Sequence, residues 1–412
     1  MKKPSIIYAL LIVLITSCSS SNKEESEYPI INVEQALKDF RIKNLSDYAS
    51  SIRYVLLETT DECLVTNYIN NIFLEDNKIF VYDNEPFLKV FDATTGKYLY
   101  NVGKKGLGPG ESTGITAVDI NIEDKRIILS SMPVHEYNFE GKFIGKVELP
   151  YIGKNETSNR PIVSMSKDNY ASAVRPDMFE HQENSIIVFN NRQEVLETLE
   201  CYDHPIQPDI YGPVWSPEME GGQFYRSNGN LRYFRGFTDT IYANQRDKNT
   251  FSPLFIINYG KHKSTLDYNR GAENPNIIQI ASISENKKLA FLKYRTRNAS
   301  PEPFKKSIPD WRTGSGFIEI TDNSIVGLLD KKKQEFHFLL QPIPGMVGLA
   351  NDLDNGIPFK VLNTSSSGEL IDYYQASDFL ENAARLSNPD PNFIKIANQV
   401  KETDNPILII AQ

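Results

Sequence analysis

The sequence predicts an all-β fold, a six-bladed β-propeller of four-stranded antiparallel blades with short helical insertions near the C-terminus. Short β-rich runs separated by tight polar turns continue through most of the 412 residues, and strong helical periodicity is scarce. The first two units repeat, because Gly96 and Gly141 lie 45 residues apart and each precedes a lysine and an aromatic residue. Such a repeat of about 40 to 50 residues is typical of propeller blades. A large β-sandwich is the alternative all-β fold.

The N-terminal residues have the pattern of an export signal. Two lysines precede an apolar block, Ile6–Ile15, that is too short to span a bilayer. The run Leu14–Cys18 ends in small residues and a cysteine, and it resembles the bacterial lipoprotein signal, in which the cysteine is acylated and the chain is cut before it. This resemblance predicts lipidation at Cys18. An ordinary cleaved signal with a chance cysteine is the alternative.

The predicted domain organisation follows from this signal. We expect a signal peptide at residues 1–17, a flexible serine-rich tether at residues 18–29 and the propeller at residues 30–412. The predicted location is the outer membrane, where the N-terminal lipid holds the protein on the periplasmic or the cell-surface face. Lys23–Glu25 resembles an acidic tag for surface export, although a solvated tether explains these charges equally well.

Charge and cysteine content limit the classes of partner and the covalent structure. The formal net charge is −9, so the protein repels phosphate backbones and nucleic acid is not an expected partner. Apart from Cys18, the only cysteines are Cys63 and Cys201. A disulfide between them is permitted outside the cytoplasm, whereas isolated cysteines are more often buried apolar residues. The pairing therefore stays open.

Two clear four-stranded units follow the first predicted strand, Ile52–Leu57. The first unit has strands at Ile69–Leu74, Lys78–Tyr82, Leu88–Asp92 and Tyr98–Val102. The second has strands at Ala117–Asn121, Arg126–Ser130, His135–Phe139 and Phe143–Leu149. The last hairpin of each unit turns at a glycine, Gly96 or Gly141, and a glycine there supplies the positive φ of a tight turn.

The later units are less regular, and their strands are predicted as follows. The third has Ile162–Met165, Tyr170–Val174, Ser185–Asn190 and Val195–Cys201; the fourth has Phe224–Ser227, Leu231–Phe234, Asp239–Ala243 and Leu254–Tyr259. The fifth has Ile277–Ile283, Leu289–Tyr294, Ser324–Leu329 and Glu335–Leu340, with an insertion around Ser300–Ser315. The sixth has Val347–Asn351, Lys360–Asn363, Leu370–Tyr374 and Pro406–Ile410, with short helices at Phe379–Arg385 and Phe393–Lys401. If the strands from the two ends of the chain pair in one blade, they close the ring and leave no unpaired sheet edge there.

Several segments resemble a known family. Ile79–Asp83, the glycine-rich turn Gly103–Glu111, Phe237–Tyr242 and Thr403–Leu408 are similar to segments of six-bladed β-propeller lipoproteins of Bacteroidetes. The resemblance touches both ends and the middle of the mature chain. It implies the fold and an envelope location, and because that family is largely uncharacterised it implies no catalytic residues.

The sequence offers little support for catalysis. In the glycine-rich turn, Pro109 removes a backbone donor and Glu111 adds negative charge, so a turn between blades is favoured over a phosphate site. The five histidines are dispersed without metal-ligand spacing. No catalytic residue and no cofactor are therefore predicted. A calcium ion in the central channel is the exception we keep open, held by oxygen ligands such as Asp119, Asn121, Asp168 and Asn169. It would serve the alternative function, a lactonase-like cation-dependent hydrolase or a lyase.

Binding is the favoured function. The only two tryptophans, Trp215 and Trp311, lie in irregular proline-containing segments. Cationic and aromatic residues lie near them in sequence, and such residues suit sugar rings, peptides or proteins. The predicted binding residues are Trp215, Trp311, Tyr225, Arg226, Arg232, Arg235 and Arg312. We expect a lipid-anchored binding or scaffold protein that recognises a glycan, a peptide or an envelope protein through one face. Alternatively, the tryptophans only close the ends of the ring.

Overall fold

The structure is a computed structural model that describes residues 28–150, 161–173, 184–200, 222–235, 238–245, 248–263, 278–309 and 316–412. The signal peptide, Cys18, Cys201, Trp215, Trp311 and Arg312 lie outside these described residues. Cys63 is fully buried, and its thiol donates to the carbonyl oxygen of Glu58 over 3.0 Å. Cys201 is not among the described residues, so the question of a disulfide between the two cysteines stays open.

The described chain begins with a segment that follows the outside of the ring, which we call the N-terminal strap (residues 30–56). It contains β1 (Ile30–Asn32), α1 (Val33–Ala36), β2 (Phe40–Arg41), a single 3₁₀ turn (Leu45–Asp47) and β3 (Ile52–Leu56). Each of its three strands pairs with the edge of a different sheet.

The first two blades confirm the predicted repeat. Blade I contains β4 (Asn71–Glu75), β5 (Lys78–Tyr82), β6 (Leu88–Asp92) and β7 (Tyr98–Val102). A short parallel pair, β8 (Lys104–Lys105) and β9 (Glu111–Ser112), leads to blade II. Blade II contains β10 (Ala117–Asn121), β11 (Arg126–Ser130), β12 (Val134–Asn138) and β13 (Phe143–Val147). In both blades the strands pair antiparallel in chain order, from the inner strand to the outer strand.

Blades III to V keep this order, and two of them gain a strand from the strap. Blade III contains β14 (Ile162–Ser164), β15 (Asn169–Ala173), β16 (Asn184–Asn190) and β17 (Val195–Glu200). Blade IV contains β18 (Gln223–Ser227), β19 (Asn230–Phe234), β20 (Thr240–Gln245) and β21 (Thr250–Asn258), and β1 pairs parallel to β21. Blade V contains β22 (Ile278–Glu285), β23 (Leu289–Thr296), β26 (Ile325–Asp330) and β27 (Glu335–Leu339), with β2 parallel to β27. An inserted hairpin, β24 (Phe304–Pro309) and β25 (Phe317–Asp322), separates β23 from β26.

Blade VI closes the ring with strands from both ends of the chain. It contains β28 (Asn363–Thr364), β29 (Leu370–Tyr374) and β30 (Ile407–Ala411), and its outer strand is β3 of the strap. The helices α2 (Ala376–Ala383) and α3 (Pro391–Ala397) lie between β29 and β30, close to the predicted helical insertions. The fold is a six-bladed β-propeller, as the sequence predicts.

Two details of the prediction are wrong. Blades IV and V have five strands, because three-residue β1 and two-residue β2 add to their outer edges. In blade VI, Val347–Asn351 and most of Lys360–Asn363 are not blade strands, since Leu349 and Phe359 form only an isolated bridge and the inner strand begins at Asn363. Such short pairings carry no alternating apolar pattern that a sequence could reveal.

The antiparallel order gives the ring two different faces. Connections from first to second strand and from third to fourth strand lie on one face, which we call the hairpin face; none of them exceeds five residues among the described blades. Connections from second to third strand, and from blade to blade, lie on the opposite face, which we call the insertion face. The inserted hairpin, α2 and α3 all lie on the insertion face. Each inner strand therefore runs from the insertion face to the hairpin face.

Candidate functional site

The central channel is the candidate site. A cavity of about 420 Å³ lies on the axis, and residues of all six inner strands line it. Its lining combines amides, hydroxyls and charged groups with aromatic rings. The lining residues include Asn71, Glu75, Asp119, Gln223, Phe224, Tyr225, Arg226, Asn363, Ser366 and Tyr373.

Amide side chains surround the insertion-face end of the channel. Asn71, Gln223 and Asn363 are the first residues of their inner strands, so they share this end of the axis. The Asn363 side-chain amide donates to Asn71 Oδ1 over 3.2 Å and to the carbonyl oxygen of Ile72 over 2.9 Å. Tyr373 completes this mouth, with its hydroxyl 3.5 Å from the carbonyl oxygen of Ile69. The mouth is thus polar and has donors, acceptors and an aromatic face to offer to a ligand.

An arginine–carboxylate pair lies deeper in the channel. Arg226 donates from Nε to Asp119 Oδ1 over 2.7 Å and from Nη2 to Asp119 Oδ2 over 2.9 Å. Its Nη2 also lies 2.6 Å from the carbonyl oxygen of Ser164, and the backbone N–H of Ser164 donates to Asp119 Oδ2 over 2.8 Å. The pair therefore joins blades II, III and IV, and its forked geometry is the strong form of such contacts.

Glu285 forms a second polar centre between blades IV and V. The Tyr225 hydroxyl donates to Glu285 Oε2 over 2.7 Å, and Lys331 Nζ lies 2.5 Å from Oε1. Arg232 Nε lies 3.8 Å from Oε2. Burial, and then the neighbouring negative charge of Glu285, raise the pKa of Tyr225 well above its ordinary value, so this hydroxyl remains a donor.

Glu75 links the first and last blades at the hairpin-face end. It accepts from the backbone N–H of Ser366 over 2.9 Å and from the Ser366 hydroxyl. Burial raises the pKa of Glu75, against the opposing effect of these hydrogen bonds. Thr364 donates to the carbonyl oxygen of Glu285 over 2.7 Å, and Lys125 of blade II lies 3.0 Å from Asp76 of blade I. Polar contacts thus connect every neighbouring pair of blades around this end of the ring.

Of the predicted binding residues that the structure describes, two line the channel and two are largely buried. Tyr225 and Arg226 line the channel, where each is held by a carboxylate of another blade. Arg232 is largely buried beside Glu285, and Arg235 is buried directly after β19. Trp215, Trp311 and Arg312 lie outside the described residues, so their part in binding stays a prediction.

Each oxygen ligand considered for calcium already has a hydrogen-bond partner in the protein. Asp119 is bound by Arg226, and Asn121 donates to Ser164 Oγ over 2.7 Å. Asp168 accepts from Asn191 over 3.0 Å, and Asn169 donates to Asn249 over 3.0 Å, both at turns of the hairpin face. Within the described residues, no group of three or more histidine, cysteine, aspartate or glutamate side chains is arranged to hold a metal ion.

Sequence reasoning missed Glu75 and Glu285, which hold the blades together at the end of the channel. Each is the last residue of an observed inner strand and lies one or two positions beyond the predicted end of that strand. Glu75 lines the channel, but side chains alternate between the two faces of a strand, so a position at a strand end does not by itself identify a channel residue. The partners of Glu75 and Glu285 could not be found, because Ser366 is 291 positions from Glu75.

The fold has similar solved structures. An exported protein of Bacteroides fragilis NCTC 9343 is similar over 93% of this chain and 99% of its own, with 16% identity and a TM-score of 0.61. A member of the DUF4221 family from Bacteroides vulgatus ATCC 8482 has 11% identity over 88% of this chain and 96% of its own, with a TM-score of 0.48. No curated protein matches the chain. None of the helices among the described residues is long and apolar enough to cross a membrane. Residues 28–412 match the family described as Domain of unknown function (DUF4934), and this chain belongs to that family.

Proposed function

We propose that this protein is a lipid-anchored binding protein of the outer membrane that docks a partner protein of the cell envelope on its insertion face. An exported structural neighbour supports the envelope location. The export and lipidation pattern ending at Cys18 supports the anchor. The propeller fold is compatible with a binding or scaffold role, because a rigid ring can hold variable loops in fixed positions.

The distribution of exposed apolar side chains carries the proposal. Within the described residues, every large apolar side chain that is strongly exposed lies on the insertion face, on an outer strand or in the strap; none lies in a turn of the hairpin face. On the insertion face Leu107 is 92% exposed, Phe317 67% and Met132 63%. The others on that face are Leu64, Tyr68, Leu362 and Ile394. Apolar groups gathered on one side around a polar centre are typical of protein-binding surfaces.

The channel mouth gives this surface its polar centre. Asn71, Gln223 and Asn363 lie where the long connections converge, and their amides can receive a polar group projecting from the partner. A glycan bound in the mouth is the competing ligand, because amides and the Tyr373 ring also suit sugars. The exposed apolar side chains outside the mouth favour the protein partner, since a sugar in the cavity would leave them uncovered.

Capture from native envelopes tests the docking surface. The triple variant Leu107→Asp, Met132→Asp, Phe317→Asp should lose the captured protein, whereas the matched control Leu99→Asp, Ile144→Asp, Val195→Asp, placed on outer strands, should retain it. The control residues are also exposed, at 43%, 45% and 49%, so both triples change surface charge without entering the core. Equal capture by both variants would reject the insertion face. If both triple variants are still retained on immobilised glycans, the sugar ligand is favoured instead.

Fractionation tests the anchor separately. The variant Cys18→Ala removes the thiol that would be acylated, and we expect it to leave the membrane fraction. Persistence of this variant in membranes, resistant to salt and alkaline washing, would contradict the lipid anchor. This result would not contradict the docking surface.

A further inference from the structure

We propose that a lysine patch on blade V docks on anionic phospholipid headgroups and so holds the insertion face away from the bilayer. The patch consists of Lys287, Lys288 and Lys332 on the hairpin face. The inference rests on the lipid anchor of the proposed function, and it adds an orientation that the anchor alone does not give. It assigns a membrane-facing side to a protein whose partner would bind the opposite side.

Two turns of one blade bring the patch together. Lys287 and Lys288 lie in the turn between β22 and β23, and Lys332 lies in the turn between β26 and β27. The backbone N–H of Lys331 donates to the carbonyl oxygen of Lys288 over 2.9 Å, so the two turns are directly joined. Strands of one blade fix both turns, and the three ammonium groups are therefore presented on one rigid edge.

The acids around these turns leave the patch positive. Glu285 lies 2.5 Å from Lys331, and Asp330 lies 3.3 Å from Lys333, so these two carboxylates already have lysine partners. Glu335, at the start of β27, is the remaining exposed acid of the two turns. In the part of the chain that the structure describes, Lys287, Lys288 and Lys332 have no carboxylate at ion-pair distance. The net charge of −9 disfavours contact with an anionic surface, so such contact is expected only through a positive edge like this patch.

The described chain starts in a direction that is compatible with an anchor on the same side. Strand β21 runs from the hairpin face to the insertion face, and β1 runs parallel to it. Pro29, the residue before Ile30, therefore lies on the hairpin-face side of β1, at the edge of blade IV next to blade V. The carbonyl oxygen of Pro29 accepts from the N–H of Ile256 over 3.0 Å, which extends this pairing toward the N-terminus.

The length of the tether is sufficient for this arrangement. Ile30 pairs with Ile256, six positions after Thr250 at the start of β21, so the hairpin face is about 20 Å away along the strand. Cys18 precedes Ile30 by twelve positions, which span at most about 40 Å when extended. A lipid on Cys18 can thus lie below the hairpin face while the patch contacts headgroups.

Lysine acylation on vesicles tests the orientation. The lipidated protein is incorporated into vesicles of phosphatidylethanolamine with phosphatidylglycerol, or of phosphatidylcholine alone, and brief acylation is read by mass spectrometry. We expect a several-fold decrease in the acylation rate of Lys287, Lys288 and Lys332 on the anionic vesicles, reversed by high salt. Lys105, exposed on the insertion face, should react equally on both vesicles and serves as the internal control.

Variants separate the patch from the general charge of the hairpin face. Lys287→Gln, Lys288→Gln, Lys332→Gln should abolish the protection of the neighbouring Lys333. The matched control Lys97→Gln, Lys142→Gln, Lys167→Gln removes three exposed lysines from the hairpin face of blades I to III and should preserve that protection.

The outcomes distinguish the two proposals. If the protein floats with both kinds of vesicle but the patch lysines are acylated equally on both, the patch is rejected and the anchor is retained. Protection of Lys105 in place of the patch would also reject it, because the protein would then face the bilayer with its insertion face. Failure to float with either vesicle would overturn both the anchor and the patch.

Discussion

Arg226 of blade IV binds both carboxylate oxygens of Asp119 of blade II, at 2.7 and 2.9 Å, and so bridges across blade III. The contact is largely shielded from water, since the two side chains are only 14% and 4% exposed. Ser164 of the intervening blade contributes its carbonyl oxygen to Arg226 and its N–H to Asp119. One guanidinium therefore fixes the relative positions of three inner strands.

Removing Arg226 should lower the stability of the protein strongly, and removing the charge of Asp119 as well should restore part of that stability. Arg226→Met leaves Asp119 buried without its cation, so we expect the free energy of unfolding to fall by about 3–5 kcal/mol. Adding Asp119→Asn should restore part of it, because an amide costs less to bury than a carboxylate. Denaturant unfolding measures both. A double variant as unstable as the sum of the two single variants would contradict the pairing.

The two repeated glycines should differ in their tolerance of alanine. Gly96 and Gly141 have φ values of 72° and 75°, so a side chain at either costs about 1–2 kcal/mol. An added Cβ at Gly96 would lie 2.0 Å from the carbonyl oxygen of Leu56, whereas at Gly141 the nearest atom is a Tyr100 ring carbon at 2.9 Å. We therefore expect Gly96→Ala to lower the melting temperature more than Gly141→Ala. Equal shifts would show that Leu56 moves without cost.

Asp372 should make the protein less stable as pH rises toward neutrality. The side chain is fully buried on β29, and burial raises its pKa to about 7, against a smaller lowering by Lys360. The folded protein thus holds a proton that the unfolded chain releases near pH 3.8. Its contribution to stability is present at low pH and is lost as pH rises through about 7.

Comparison with Asp372→Asn isolates this contribution. Between pH 5 and pH 8 the free energy of unfolding of the wild type should fall relative to that of the variant. The relative decrease is up to about 1.4 kcal/mol for each pKa unit. A constant difference across that range would show that Asp372 is ionised throughout.

His135 should have the opposite dependence on pH. It is buried on β12 against Tyr137 and Phe143, and burial lowers its pKa from the ordinary value of 6.5. The folded protein therefore favours the neutral ring, and the unfolded chain takes up the proton first as pH falls. Stability is complete above pH 6.5 and declines below it. Replacement by glutamine should flatten the profile between pH 5 and pH 7.5 in thermal unfolding, and an unchanged slope would assign the dependence to other groups.

The fold was predictable where strands were long and turns carried glycine. Gly96 and Gly141 both have positive φ, as their place in the repeated hairpins predicts, and the strands of blades I and II lie within a few residues of the predicted bounds. The strap was not predictable, because β1 and β2 have too few residues to show a pattern. Their positions are set by the free edges of β21 and β27.

The site was predictable only as a set of residue types. Tyr225 and Arg226 were selected because they are aromatic and cationic, and they do line the channel. Tyr225 is held by Glu285, 60 positions away, and Arg226 by Asp119, 107 positions away. No local sequence pattern connects such distant residues. Whether an arginine is exposed for a ligand or occupied by a carboxylate depends on those contacts, which only the three-dimensional structure gives.

The closing pairing of blade VI determines when the ring can form. Ser50 donates to the carbonyl oxygen of Gln412, 362 positions away, beside the ladder that joins β3 to β30. During synthesis β3 emerges first and its partner β30 emerges last, so β3 stays without this partner until almost the whole chain has been made. Closure of the ring is therefore a late step in folding. A chain interrupted anywhere before β30 would keep two open sheet edges, which are sites for aggregation or proteolysis.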